Sequence, residues 1–405
     1  MFNTEHYPAN SFVTIEGKPT SSRFYIIKSG KVKITNEIQI SPGSSQSVLS
    51  PGDFFGVISC MSNHAQIESA MALENVSLIS VERNNFGLLI QKNPIVAMKI
   101  IRFFSNQLRD YNHAITTMTF KDSAAPSPAH LFNIGKFYLQ EKSYNHAIYV
   151  FQKFIKHHPD DNNVPEAKKE LDALKAPHSE PEDLSLCDQM TRTYDDNSII
   201  FSEHEPGNEL YIINKGKVKI TRIIKEEILL TVLNPGDIFG EMALLDNKPR
   251  SASAIAFGAV TAMAVNRENF EKMVKEQPQL ATRLIQLLSE RIWASYRQFE
   301  NLMIKDDMGR IMDMLLIQVE KSRAKIAAKE TFAFDFGTKE LMNMVGIQGM
   351  KAEMLTVQLL EDKNIKLLGN KIICTDVFEL AKTVSFTKKR LDMEKKREQA
   401  KNKMY

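Results

Sequence analysis

The sequence predicts a multidomain α+β chain: two β-barrel domains of jelly-roll type, a helical hairpin between them, one long helix and a C-terminal winged helix-turn-helix. Three observations predict it. A large internal repeat of short apolar runs relates the first quarter of the chain to its middle. A helical segment stands between two proline-rich stretches. Beyond the second copy, apolar residues recur at steps of four and three, followed by a helix, a turn at Gly346 and a second helix.

The repeat is direct. Residues 10–35 read NSFVTIEGKPTSSRFYIIKSGKVKIT and residues 197–221 read NSIIFSEHEPGNELYIINKGKVKIT. Turn glycines separate the apolar runs, which predicts successive strands. PGDFF at 51–55 matches PGDIF at 235–239, and the spacing from Asp53 to Phe86 equals that from Asp237 to Phe270. The copies therefore align without a gap there, and each enters a helical stretch through Asn93-Pro94 or Gln277-Pro278. A repeat of this size means two homologous domains, not a solenoid.

Between the copies, Lys121 to Pro128 forms a small-residue linker, and a second linker runs from Ala176 to Glu182. In the segment they bound, Leu131, Ile134, Gly135, Tyr138, Ala147, Phe151 and Pro159 fall at the spacing of a tetratricopeptide unit. The segment at 165–171 is a candidate cap helix. The segment resembles one such unit, with a plain helical spacer as the alternative. A single unit cannot bury its own apolar faces, so it is expected on a neighbouring domain, another subunit or a protein partner.

The second copy carries the chemistry. Glu241 stands nine residues before Arg250, with Gly240 opening a short helical piece and Pro249 just before the arginine. A guanidinium offers a planar donor fork to a phosphate. The first N–H groups of a short helix point at the same anion, and a carboxylate accepts from a ribose hydroxyl. A structural Glu–Arg pair on a hairpin is the bland alternative. The stretch 239–254 resembles the phosphate-binding cassette of the cyclic-nucleotide-binding domain family. The resemblance implies that Gly240, Glu241, Met242, Ala243, Arg250 and Ser251 hold a cyclic nucleotide. cAMP is favoured and cGMP remains open, because Ser251 fits either. In the first copy the aligned positions are Val57 for Glu241, Gln66 for Arg250 and Glu68 for Ala252. That copy lacks the ribose acceptor and the phosphate fork and gains a carboxylate, so it is expected to be a scaffold, not a second sensor.

From Gln279 to Ile304, Leu284, Leu288, Ile292, Ser295, Phe299 and Leu302 form the seam of a helix pair. Arg291 lies one turn before Ser295 on the same side. Residues 280–311 and 338–375 resemble the cAMP receptor protein family, also called Crp/Fnr. The resemblance implies a homodimer built on the long helix, with Arg291 and Ser295 facing the nucleotide. A solvated or salt-bridged surface arginine and a tolerated polar residue are their alternatives. It also implies a winged helix-turn-helix that binds DNA, with Thr338, Gln348 and Lys351 as candidate contacts. The second helix departs from the family pattern: it has Met350 and Met354 where base-reading polar residues are customary, and Met342 replaces a small residue. The segment 388–403 is rich in Lys and Arg, which suits phosphate neutralisation or a solvated helix end equally.

The expected domains are 1–120 (degenerate sensor-like), 126–178 (insert), 184–278 (sensor), 279–304 (dimerisation helix), 305–380 (winged helix) and 381–405 (basic tail). A net charge of +3 over 405 residues does not identify a partner. Cys60, Cys187 and Cys374 lack metal-ligand spacing and fit a reducing cytoplasm. No apolar run is long enough for a membrane span, and no signal peptide is visible. No nucleophile–base grouping or phosphate-binding lysine loop suggests an enzyme. The expected function is a cytoplasmic cyclic-nucleotide-responsive transcriptional regulator, in which ligand shifts a two-state equilibrium through the long helix. The competing reading is a nucleotide-binding signalling scaffold that acts through protein contacts without reading DNA.

Overall fold

The computed structural model describes residues 2–19, 22–36, 46–120, 128–175, 190–223 and 226–402. Residues 121–127 of the first predicted linker, the second linker at 176–182, Cys187 and the last three residues lie outside these. In the first copy, one sheet has the order 3–7, 76–82, 23–29, 54–55 and a second has 12–14, 69–72, 32–35, 46–49. Alternating side chains of the two sheets (Tyr25, Ile27, Val32, Ile34, Phe55, Leu78) close a small core between them. The second copy bends the same pattern into a six-stranded sheet around two long strands, 209–223 and 253–266.

Each copy carries a short helix after its Pro-Gly-Asp turn, α1 (Val57–Ser62) in the first. α2 (Phe86–Lys92) and the long α3 (Pro94–Phe120) complete that copy. The insert is α4 (Pro128–Gln140), α5 (Tyr144–His157) and α6 (Val164–Lys175). Its apolar faces close on the second copy: Phe151, Phe154 and Leu131 share one core with Ile199 and Ile255. Of the three neighbours that the sequence left open for this segment, a domain of the same chain is the one it packs on.

The second copy continues with α7 (Glu241–Asp246), α8 (Arg267–Glu276) and α9 (Pro278–Leu302). α9 packs on α3 of the first copy. Leu284, Leu288, Ile292, Phe299 and Leu302 are all buried within the single chain. Tyr111 of α3 meets Tyr296 and Phe299 edge-on, with ring centroids 6.1 and 6.3 Å apart. The seam expected to join two copies of the chain is filled here from within, by α3. The physical reason is that the repeat extends into the helices, so the first copy brings its own partner for α9.

The C-terminal residues form a separate core. α10 (Asp307–Lys321) leads to a three-stranded sheet of 332–333, 371–374 and 365–368, with α11 (Thr338–Met344) and α12 (Met350–Leu360) between the first strand and the last two. α13 (Val377–Asn402) packs Val377, Leu380 and Val384 back against α10. Met342 is buried in this core, which explains a bulky residue where a small one was expected. Among the described residues no helix is long and apolar enough to cross a membrane.

Candidate functional site

Gly240 precedes α7 in the left-handed region (φ 74°), which favours glycine, and a Cβ there would lie 2.7 Å from Arg250 Nη1. The turn delivers Glu241 into the interior, where its side chain is 2% exposed. Arg291 of α9 reaches it, with Nη1 donating to Glu241 Oε1 at 2.7 Å and Nη2 donating to the carbonyl of Ile238 at 2.8 Å. Arg291 is therefore a salt-bridged arginine, about a third exposed, and its partner is the cassette carboxylate.

Arg250 is buried at 5% exposure. Its Nη1 donates to the carbonyls of Gly240 (2.6 Å) and Glu209 (2.8 Å), and the guanidinium lies 4.1 Å from the centre of the Phe201 ring. Nε is buried with no hydrogen-bond partner among the described residues. A buried guanidinium with an unmatched donor is costly, and an anion is the chemistry that satisfies it. Gly240, Glu241 and Arg250 thus converge on one turn. Met242 and Ala243 are buried beneath it, and Ser251 Oγ approaches Met242 Sδ at 3.8 Å.

The site draws on residues the motif did not name. A Cβ at Gly207 would lie 2.3 Å from Arg250 Nε, so the guanidinium needs glycine there. The signal was in the repeat: after the aligned prolines 19 and 206, the first copy has Thr20 and only the arginine-bearing copy has glycine. α3 of the first copy also reaches the cassette, with Arg109 Nη1 donating to the carbonyl of Pro249 at 3.1 Å. Further along α9, Ser295 Oγ faces Asn112 Oδ1 of α3 at 3.5 Å, so the seam's one polar residue meets a polar residue across it.

The first copy keeps the backbone and loses the chemistry. Gly56 and Asn63 flank α1 at φ 75° and 60°, as Gly240 and Asn247 flank α7 at 74° and 57°. Val57 is buried, and Gln66 Oε1 has no partner among the described residues. The Gly56 N–H donates to Glu68 Oε1 at 2.8 Å. Burial raises the Glu68 carboxyl above its ordinary pKa, with the Gly56 N–H opposing. The cleft beside Gln66, about 550 Å³, is lined by Glu16, Glu300 and Glu320, while its Arg297 and Arg323 pair with carboxylates. Its lining is poorly suited to a phosphate.

At the far end of α9, Asp313 of α10 is fully buried and takes hydrogen bonds from Asn301 (2.9 Å) and Arg297 (3.4 Å). Lys388 of α13 lies 3.1 Å from the same carboxylate, and Arg390 lies 3.7 Å from Asp306. Lys388 and Arg390 of the basic segment thereby face carboxylates of the same chain. Of the candidate DNA contacts, Thr338 opens α11, and Gln348 and Lys351 are exposed around the start of α12, Lys351 lying 2.6 Å from Asp307. α12 also exposes Met350, Met354 and Val357 along one face.

Comparison with known proteins decides the family of the two barrels. The cyclic nucleotide-binding domain model matches residues 4–93 and again 191–277. The chain carries two domains of the cyclic nucleotide-binding family. Curated relatives that match parts of this chain include transcriptional regulators. A CRP-like cAMP-activated global transcriptional regulator of Mycobacterium tuberculosis is 28% identical over 185 residues, 45% of this chain and 83% of the relative. The cyclic AMP receptor protein of Thermus thermophilus is 33% identical over 136 residues, 33% of this chain and 63% of the relative. Among solved structures, the catabolite activator protein of Thermus thermophilus is 26% identical and covers 48% of this chain and 89% of its own, with a TM-score of 0.28.

Proposed function

We propose that the chain is a cyclic-nucleotide-responsive transcriptional regulator in which the second barrel takes the nucleotide, cAMP ahead of cGMP, through Glu241 and Arg250. The observation that carries the reading is the buried Arg250, held over Phe201 with an unmatched Nε, one turn from a buried Glu241. Gly240, Met242, Ala243 and Ser251 shape the turn, and the first barrel acts as a scaffold. Regulators named as cAMP-activated among the relatives support the ligand class.

The output runs through α9. Arg291 bonds Glu241 from the middle of that helix, and Arg297 and Asn301 hold the buried Asp313 of α10 near its C-terminal end. A ligand that competes for Glu241 changes what α9 holds and biases the C-terminal unit between two arrangements, to the extent that it binds them differently. The helix, turn, helix and hairpin of that unit suit a winged helix on duplex DNA, with Thr338, Gln348 and Lys351 at the contact. The fusion of both barrels in one chain makes each chain its own pseudo-dimer, with one DNA-binding unit.

A second reading is a scaffold that acts through protein contacts, and the exposed Met350, Met354 and Val357 on α12 favour it, since apolar side chains make no hydrogen bonds to base edges. Gel shifts on duplex DNA at low salt, with and without cAMP, separate the two. Nucleotide-dependent binding that weakens steeply with salt supports the regulator. Nucleotide binding without any duplex binding supports the scaffold, and no response to millimolar cAMP or cGMP removes both.

A further inference from the structure

We propose that the helical insert is an affinity-setting part of the nucleotide site, and that Lys153 and Tyr149 of α5 are positioning residues for Arg250. The inference rests on the reading of Arg250 as the phosphate-binding residue. Lys153 and Glu205 form an ion pair at 3.3 Å with side chains 3% and 7% exposed. The Tyr149 hydroxyl donates to Glu205 Oε2 at 3.1 Å, and the Ser202 N–H donates to the same oxygen at 3.0 Å. The carboxylate of Glu205 is thus fixed from the insert on one side and from its own loop on the other.

The backbone of Glu205 holds the arginine. The Arg250 N–H donates to the Glu205 carbonyl at 2.8 Å, and the His204 N–H donates to the Arg250 carbonyl at 2.9 Å. Two residues beyond Glu205, Gly207 lies against the guanidinium. The loop from Ser202 to Gly207 therefore sets both the backbone and the side chain of Arg250, and the insert sets the loop.

The first copy provides an internal control. It keeps the same backbone pairing, with the Gly17 N–H donating to the Gln66 carbonyl and the Gln66 N–H donating to the Lys18 carbonyl, both at 2.8 Å. There the residue aligned with Glu205 is the exposed Lys18. The braced carboxylate occurs in the copy that has an arginine to position. A buried ion pair is a poor source of net stability, because desolvation offsets its Coulomb attraction. Its effect here is to fix geometry: the insert cannot shift on the barrel without moving the loop under Arg250.

The experiment uses the full chain in four forms: wild type, Lys153→Met, Tyr149→Phe and Lys153→Arg. Titration with cAMP should show affinity reduced at least fivefold in Lys153→Met and at least twofold in Tyr149→Phe, and largely restored in Lys153→Arg. In an Arg250→Ala background, Lys153→Met should cause no further loss. An equal loss there would overturn the proposal, as would unchanged affinity in both single variants. Hydrogen exchange of the ligand-free chain gives a readout that does not need binding. The Arg250 and His204 amides should exchange at least tenfold faster in Lys153→Met and faster in Tyr149→Phe, with Tyr138→Phe, whose hydroxyl contacts Glu227, as the unchanged control. Unaltered exchange at these amides overturns the proposal even if affinity changes. Wild type that ignores cAMP while these amides respond removes the proposed ligand and leaves the brace standing.

Discussion

Arg291 on the long helix donates to Glu241 in the cassette at 2.7 Å, so the carboxylate expected to meet a ribose already belongs to an ion pair that joins the site to α9. In the proposed function, ligand sensing and helix position are coupled through one carboxylate oxygen. That relationship, and the packing around it, set the following expectations.

Removing Arg291 leaves Glu241 buried without its cation. Arg291→Ala should destabilise the fold by about 1–3 kcal/mol, the cost of an unsatisfied buried group, with the one-third exposure of Arg291 keeping the loss toward the low end. Urea unfolding reads the stability. cAMP-induced protection of α10, followed by hydrogen exchange, reads the coupling and should shrink. Full coupling in Arg291→Ala would show that α9 is not the relay.

Arg250→Ala should weaken cAMP binding at least tenfold, as the loss of a charge-assisted fork requires. Gly207→Ala should reproduce most of that loss with Arg250 present, because the added methyl displaces the guanidinium. Calorimetry should give one nucleotide per chain, since Val57 and Gln66 replace the binding groups in the first barrel and Glu68 adds a carboxylate. Two equivalent sites would sink that assignment.

The internal helix pair predicts a urea midpoint independent of protein concentration, in contrast to an obligate dimer. Leu288, fully buried between the copies, should tolerate no charge. Leu288→Asp should cost more than about 3 kcal/mol and should unfold the chain without yielding folded monomers from a dimer. A concentration-dependent midpoint would mean that a second chain shares the seam.

Acid should weaken the contact between the first barrel and α9. His64 stacks on Trp293, with ring centroids 3.5 Å apart, and hydrogen-bonds Glu290 at 3.0 Å. Burial, reinforced by Arg323, lowers its pKa from 6.5 to about 4. Between those values the unfolded chain binds a proton that the folded chain does not, so stability falls as pH drops from 6.5 to 4 and is level above 6.5. His64→Gln should flatten part of that slope in urea midpoints taken across the range. His204, also lowered to about 4 by burial, should account for part of the remainder.

The sequence by itself determined the two barrels and the contrast between them. Pro-Gly-Asp turns, left-handed glycines and alternating apolar runs are local signals, and the gapless register placed Val57 opposite Glu241 and Gln66 opposite Arg250. Its resemblance to the cAMP receptor protein family also marked Arg291 and Ser295 as residues of interest. Only the tertiary structure decided what each surface meets. An apolar seam such as Leu284 to Leu302 carries no label for its partner, and the choice of α3 over a second chain depends on how the linked copies dock. The same limit hid Tyr149 and Lys153: their contact with Glu205 spans more than fifty residues of chain. It arises because the insert has apolar faces to bury and the second barrel is where they close. Periodicity reveals that a face must be covered, and packing selects what covers it.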